Sequence, residues 1–323
     1  MIWLSWRQFR TQALIGVAAL AVLAIYLVIL GFQIRHTYHA DLAQCHGACG
    51  LADFTHEYQV RVYLLDGLLI LVPVLVGAFW GAPLVARELE AGTHRLVWNQ
   101  SVTRTRWLAV KLLVVGLAGM AVTGLASLLL TWAASPYDRV AGERFTALAF
   151  GSRNIAPVGY VAFAFLLGTV LGLALRRTVA AMALTIAVVA VVQVLMPTVV
   201  RPHLSTPVTA DVPVTVRMVR NLTFLGNHGN VGGVSVPDAW VVSTSDLLAA
   251  GGRRVDLADY NRCVSGSLDH VGRCLAALHL HVRVAYQPAD RYWSFQWRES
   301  AIYAALAALL AGLGLWRIRR RLT

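Results

Sequence analysis

The sequence predicts an all-α polytopic membrane protein, with six transmembrane helices and a small mixed α/β extracellular domain between helices 5 and 6. Three observations predict it. Of the 323 residues, 58% are hydrophobic and only 14% are charged, whereas a soluble domain carries about 25% charged residues. Six apolar stretches are long enough, at roughly 20 residues, to cross a hydrocarbon core about 30 Å thick as helices. Between the fifth and the sixth lies a run of about a hundred residues with the β-branched, Pro- and Gly-punctuated chemistry of strands and turns.

In order, the stretches are 13–32, 67–86, 112–132, 155–175, 179–200 and 301–316. The first contains no charge and is 20 residues long. A cleavable signal would have an apolar region of about 7 to 15 residues ending in small residues, so 13–32 is expected to be a retained helix. The second contains Pro73 and Pro83, which membrane helices tolerate because neighbouring helices satisfy the freed backbone groups. The sixth has 16 residues, and the aromatic segment "RYWSFQW" before it completes the span at the interface.

Charge placement sets the expected orientation. Segments on the side of the termini hold thirteen basic residues, and the two short loops on the far side hold five: Arg35, Arg61, Arg139, Arg144 and Arg153. Enrichment of Lys and Arg in cytoplasmic loops puts both termini inside. The net charge of +12 is spread over helix ends that meet anionic headgroups, not gathered into a nucleic-acid-binding patch. No nucleic-acid partner is expected.

All four cysteines fall in segments assigned to the outside, where disulfides persist. Local bridges Cys45–Cys49 and Cys263–Cys274 are the natural pairing among three connectivities. In the first outer loop, His36, His39, His46 and His56 crowd Cys45 and Cys49. A zinc or copper site is the rival reading, but the spacing matches no closed metal motif, and no metal ligand is assigned.

The organisation expected along the chain is an N-terminal amphipathic helix at 1–12, spans 1 to 5 at 13–200, an extracellular domain at 201–297, and span 6 with a basic tail at 298–323. Trp3, Trp6 and Phe9 stand at helical spacing beside Arg7 and Arg10, as in a helix lying in the interface; a simple positive flank with belt aromatics has the same composition. The outer domain is read as strand-like over "TPVTADVPVTVRMV", turning at "GNHGNVGG", helical from 267 to 278 and again a strand in "LHLHVRVAY". "NLT" at Asn221 is a glycosylation sequon. Two GxxxG motifs, "GAFWG" and "GTVLG", mark helices that approach closely in lipid.

Several chemistries are excluded. A P-loop needs Gly-Lys-Ser/Thr, and the single lysine, Lys111, stands in "AVKLL". There is no HExxH pair and no GxSxG elbow. Asp66 and Glu299 stand near outer helix ends, not near the midplane where ion-coupled transporters keep their carboxylates.

The longest cytoplasmic loop, 86–111, begins with Glu88 and Glu90, turns at Gly92 and Thr93, and finishes with Arg104, Arg106 and Lys111. Acid first and base last favours a short helix by the dipole argument. The pattern "ARELEAGTHRLVWNQSVTRTRWLAVKL" resembles the permease subunits of type-2 ATP-binding cassette (ABC) exporters, especially actinobacterial ones. "WLSWRQFR", "LRRTVAAMALT" and "RYWSFQWRESAIY" resemble the same group. The resemblance implies that this loop is a coupling helix seated on a separate ATPase subunit, with Glu88, Glu90, Gly92, Thr93, Arg95, Gln100, Ser101, Thr103 and Arg104 on the coupling surface. It also implies that Trp3, Trp6 and Arg7 belong to a connecting helix, and that a second permease copy faces the first. ATP and Mg are then expected on the partner ATPase and no cofactor on this chain, which is not itself an enzyme. The cargo expected from an apolar, sparsely charged lining is hydrophobic or amphiphilic. The competing reading is a polytopic sensor or scaffold with a ligand-binding outer domain; a lipid-modifying membrane enzyme would need an intramembrane polar cluster.

Overall fold

A computed structural model describes residues 2–44, 52–92, 103–226, 229–236 and 239–320, with the side chains of 2–13, 44, 52 and 320 outside that description. Among the described residues, six helices are long and apolar enough to cross a membrane: Leu14–Ala43, Asp53–Glu90, Arg104–Ala141, Ala156–Leu175, Thr178–His203 and Ala289–Arg319. They are called spans 1 to 6. The chain forms two compact units, one of residues 1–201 with 293–323, the other of residues 202–292.

Most spans run well past their apolar cores. Helix α1 is unbroken from Ile2 to Gln44. Span 2 is built from α2 (Ala52–Leu75), a π-helical segment Val76–Gly81, and α3 (Pro83–Glu90). Span 3 is α4 (Arg104–Ala141), opened by Thr103, whose hydroxyl accepts from the Arg106 N–H, and closed at Gly142. At φ +68° Gly142 occupies the left-handed region that glycine enters without steric cost. A short helix α5 (Ala147–Ser152) follows, then α6 (Ala156–Leu175, span 4) and α7 (Thr178–Leu195), which ends in a second π segment, Met196–Val200. Span 6 is α11 (Tyr292–Arg320) with the short turn before it. Its 29 helical residues include the aromatic segment, so the short apolar core at 301–316 is no obstacle to crossing.

The outward faces are apolar, as lipid requires: Val22 and Leu64 are 70% exposed and Val179 is 79% exposed. Inside, one cluster joins Leu27, Leu30 and Ile34 of α1 with Phe54, Val62 and Leu69 of α2 and Leu130 and Ala133 of α4.

The two GxxxG motifs meet each other. A Cβ on Gly77 would stand 2.7 Å from the Ala164 carbonyl oxygen, and one on Gly172 would stand 2.5 Å from that of Ala82. A Cβ on Gly168 would collide with the Gly77 carbonyl, and one on Gly81 with that of Phe165. Spans 2 and 4 therefore touch backbone to backbone, which only residues lacking a side chain permit. The π segment lies in this contact. The Ala82 N–H reaches the Gly77 carbonyl at 2.9 Å, an i to i+5 bond. The Thr169 hydroxyl lies 3.3 Å from the Gly81 carbonyl and 2.9 Å from that of Phe165. One turn before Pro73, the Gln193 amide donates to the Ile70 carbonyl at 2.9 Å. Side chains from spans 4 and 5 thus supply bonds beside the irregular turns of span 2.

The second unit holds a three-stranded antiparallel sheet in the order β1–β5–β4, where β1 is Val208–Pro213, β4 is Trp240–Leu248 and β5 is His281–Gln287. A small hairpin pairs β2 (Phe224–Leu225) with β3 (Val231–Gly232). β4 has nine residues and β5 seven, and two irregularities in register, between Val241 and Ser243 and between Thr244 and Leu247, absorb the difference. Alternation places Val282 and Val284 inside and Arg283 outside, on Asp211. Three helices, α8 (Val216–Asn221), α9 (Leu257–Cys263) and α10 (Leu268–Ala277), complete the unit. The core joins Tyr260, Val271 and Leu275 to Leu247, Val282 and Val284. The sequence reading anticipated α10, β1 and β5, but not β4 or α9, and the end of its first strand-like run, from Val216, is instead helix α8, which the Thr215 hydroxyl caps at the Met218 N–H. The unit's two chain ends are stitched together: Gln287 donates to the Ser205 carbonyl at 2.7 Å and Arg291 to that of Thr206 at 2.7 Å. Cys263 and Cys274 form a disulfide between α9 and α10, with Cα atoms 5.3 Å apart; Cys45 and Cys49 lie outside the described residues.

Replacing Gly168 by Ala forces spans 2 and 4 apart and is expected to cost about 1–3 kcal/mol, read as a lower unfolding midpoint in detergent. Gly312→Ala, where nothing stands within 4 Å, serves as the control and leaves the midpoint unchanged or raised. Reducing the Cys263–Cys274 bridge, which closes a loop of 11 residues, is expected to destabilise the second unit by about 3 kcal/mol on the chain-entropy argument. Hydrogen exchange over α9 and α10, oxidised against reduced, measures it.

Candidate functional site

Two polar constellations occupy opposite ends of the membrane unit. The first surrounds the start of the segment between spans 2 and 3. α3 begins on Pro83, whose missing N–H costs nothing at a first helical position. It buries Val85 among Trp107, Leu108, Leu173 and Ile318, so this short helix rests on spans 3, 4 and 6 together. Glu88 pairs with Lys111, which is only 4% exposed and lies 4.5 Å from the centre of the Trp107 ring. A buried ammonium needs such a partner, and the ring face adds a second attraction.

Glu90 has a different task. Its carboxylate accepts from both the backbone N–H and the hydroxyl of Thr178, at 3.1 and 2.7 Å. Thr178 opens α7, and the preceding residue, Arg177, makes no side-chain cap. Glu90 thus caps span 5 from another helix and places its negative charge at the positive end of the α7 dipole. The turn into α7 is tight: Arg176 adopts φ +54°, and its N–H bonds to the Gly172 carbonyl at 3.1 Å.

Among the residues expected on the coupling surface, the structure places Glu88, Glu90 and Gly92 at the end of span 2, and Thr103 and Arg104 at the start of span 3. Glu88 and Glu90 are engaged within the chain. Thr93, Arg95, Gln100 and Ser101 lie outside the described residues. Trp3, Trp6 and Arg7 stand on α1, in the part whose side chains are not described.

The second constellation lies at the other end and gathers on the link between spans 3 and 4. Arg153 grips Asp66 with two donors, Nε at 3.0 Å and Nη2 at 2.8 Å, and donates through Nη1 to Asp138. Ser152 donates to the same Asp66 at 2.6 Å. Burial works against the Arg153 charge, but Asp138 and Asp66 outweigh it and hold the guanidinium above its ordinary pKa. Alongside, Arg201 makes a two-pronged contact with Glu299 at 2.9 and 3.2 Å, Tyr160 donates to the same carboxylate, and the Arg201 guanidinium lies 3.9 Å over Phe150. Gln296 accepts from the Ala156 N–H at 3.0 Å and donates to the Phe150 carbonyl at 3.1 Å.

Sequence reasoning noted Asp66 and Glu299 at helix ends but missed their partners. It counted Arg153 as a loop charge and Arg201 as the first residue of the outer domain, whereas both are at most 3% exposed. The available signal was the carboxylates themselves, because an acid bordering an apolar span requires a cation.

Six apolar helices, backbone-close packing and charges confined to the helix ends define a polytopic helical membrane protein. The chain belongs to the ABC-2 membrane transporter related family, whose model matches residues 17–201. It is accordingly a multi-pass membrane permease of an ABC transporter, a transport subunit, and the family implies an ATPase partner. The match takes in spans 1 to 5 and stops at Arg201, ahead of the sheet-bearing unit. No curated protein and no solved structure matches the chain.

Arg153→Met leaves two buried carboxylates without their cation and is expected to cost about 3–5 kcal/mol. The exposed pair Arg262–Asp259, broken by Arg262→Met, is expected to cost no more than about 1 kcal/mol. Unfolding midpoints of the two variants in detergent give the comparison.

Proposed function

We propose that this permease is the membrane-spanning part of an ATP-driven exporter, and that a separate ATPase subunit, which holds ATP and Mg, docks on the segment 86–111 between spans 2 and 3. The observation that carries this reading is the pair of contacts at its start. Glu88 holds Lys111 of span 3, and Glu90 caps Thr178 of span 5. A push on the segment therefore reaches spans 2, 3 and 5 together, and packed helices answer such a push as rigid bodies. In this reading Glu88 and Glu90 transmit, while the rest of the segment, with Thr93, Arg95, Gln100, Ser101, Thr103 and Arg104, meets the ATPase.

The N-terminal Trp3, Trp6 and Arg7 belong to the connecting helix, both termini are cytoplasmic, and the unit of residues 202–292 is extracellular. A second permease copy completes the path. The cargo is hydrophobic or amphiphilic, in keeping with the apolar, sparsely charged spans. The ATPase drives export through differential contacts with the segment in its open and closed states.

Purification of the tagged chain from its native membrane in mild detergent is expected to recover a P-loop ATPase in stoichiometric amount. Arg95→Glu lowers that recovery, because reversing a charge breaks the electrostatic match of a docking surface. Thr178→Ala leaves recovery intact and weakens the stimulation of ATP hydrolysis by transport. Recovery of the chain alone, or with a kinase, would turn the reading to a membrane sensor.

A further inference from the structure

At the end of the bundle away from α3, helices α1 and α2 flank an open cavity of 470 Å³ on the surface. Its floor is Tyr58, 3% exposed, whose hydroxyl shares a hydrogen bond with Thr37 at 2.9 Å. The Arg61 guanidinium lies 5.5 Å above the same ring. Gln33, His36 and Glu57 also line the cavity. Glu57 and Arg61 stand one helical turn apart, where opposite charges ordinarily pair. Yet among the described residues no ion pair joins them, because Arg61 lies over the Tyr58 ring instead. The site therefore presents a cation and an anion side by side, with amide and imidazole groups beside them.

Its depth is set by the two apolar runs. The charge-free stretch 13–32 ends one residue before Gln33. The apolar run of span 2 starts at Gly67, about 9 Å along the helix from Arg61 at 1.5 Å per residue. The cavity thus stands at the level of lipid headgroups. Towards the hydrocarbon, one turn from Gln33, Ile29 is 53% exposed, and below Arg61, Leu64 and Leu68 are 70% and 48% exposed, a surface suited to acyl chains.

We propose that this cavity binds the headgroup of a phospholipid bearing a primary amine, with Arg61 and His36 on the phosphate and Glu57 on the ammonium. An ammonium offers three N–H donors to a carboxylate, which a trimethylated choline lacks. A headgroup carrying only negative charge would meet repulsion from Glu57. The cavity needs no ATPase, so this assignment stands apart from the export reading.

Native mass spectrometry of the full chain in mild detergent tests it, with phosphatidylethanolamine, phosphatidylcholine and phosphatidylglycerol of identical acyl chains. The ethanolamine lipid is expected to bind about tenfold more tightly than the other two, the scale of one charge-assisted hydrogen bond. Arg61→Ala lowers its binding about tenfold on the same argument. Glu57→Gln removes the preference over choline while phosphate binding remains. Free phosphoethanolamine, lacking acyl chains, does not displace the lipid. Equal binding of the three lipids, preference for the glycerol headgroup, displacement by phosphoethanolamine, or variants that bind as the parent does would each overturn the assignment. Both side chains are exposed, so unchanged unfolding midpoints establish that the variants fold.

Discussion

The Arg153 charge is 97% withdrawn from solvent, in a protein most of whose surroundings are hydrocarbon. Such a charge survives only where opposite charge and hydrogen bonds replace its hydration. Asp66 from span 2 and Asp138 from span 3 supply both, and Ser152 completes the set on Asp66. The consequence reaches beyond the ion cluster. Because Arg153 must meet two carboxylates from different helices, the link 147–156 is pinned against both, and with it the start of span 4. Gln296 adds span 6 to the same link, and Arg201, stacked on Phe150 and paired with Glu299, adds the end of span 5. Five of the six spans are thus tied at one end by polar groups that water does not reach.

Packing in the middle of the bundle follows a different rule. Lipid tails are as apolar as leucine, so helices there gain little from burying large side chains and more from close fit. Spans 2 and 4 use glycine to bring carbonyl oxygens within reach of Cα atoms, and the π turn at Val76–Gly81 lies within this contact. Pro73 and Pro83 bracket the turn. An irregular helix at this depth is tolerated because neighbouring side chains bond to its backbone, Thr169 to Gly81 and Gln193 to Ile70.

At the end that carries α3, the polar contacts are fewer and less deeply buried. Lys111 and Glu88 join spans 3 and 2, and Glu90 caps span 5. One end of the unit is therefore knotted through a buried network, while the other is linked through single carboxylates at the margin of the segment 86–111.

Much of the fold was legible in the sequence because lipid imposes simple rules on composition. Uninterrupted apolar length determined the six spans. The alternation in "LHLHVRVAY" and the helical stretch 267–278 marked the sheet and α10, and the two GxxxG motifs marked close helix contact. The spacing of two cysteines made the Cys263–Cys274 bridge the natural pairing. The pattern around Glu88 and Glu90 pointed to the permease family that the family model then matched over 17–201. What the tertiary structure alone decided is which groups meet. Nothing local tells that the GxxxG of span 2 faces that of span 4, that Glu90 caps a helix 88 residues away, or that Arg153 and Arg201 are buried partners of Asp66 and Glu299 and not surface charges. The physical reason is that hydrophobicity and helix periodicity are properties of neighbouring residues, whereas charge neutralisation in a medium without water is satisfied across space, by whichever helix the packing brings alongside.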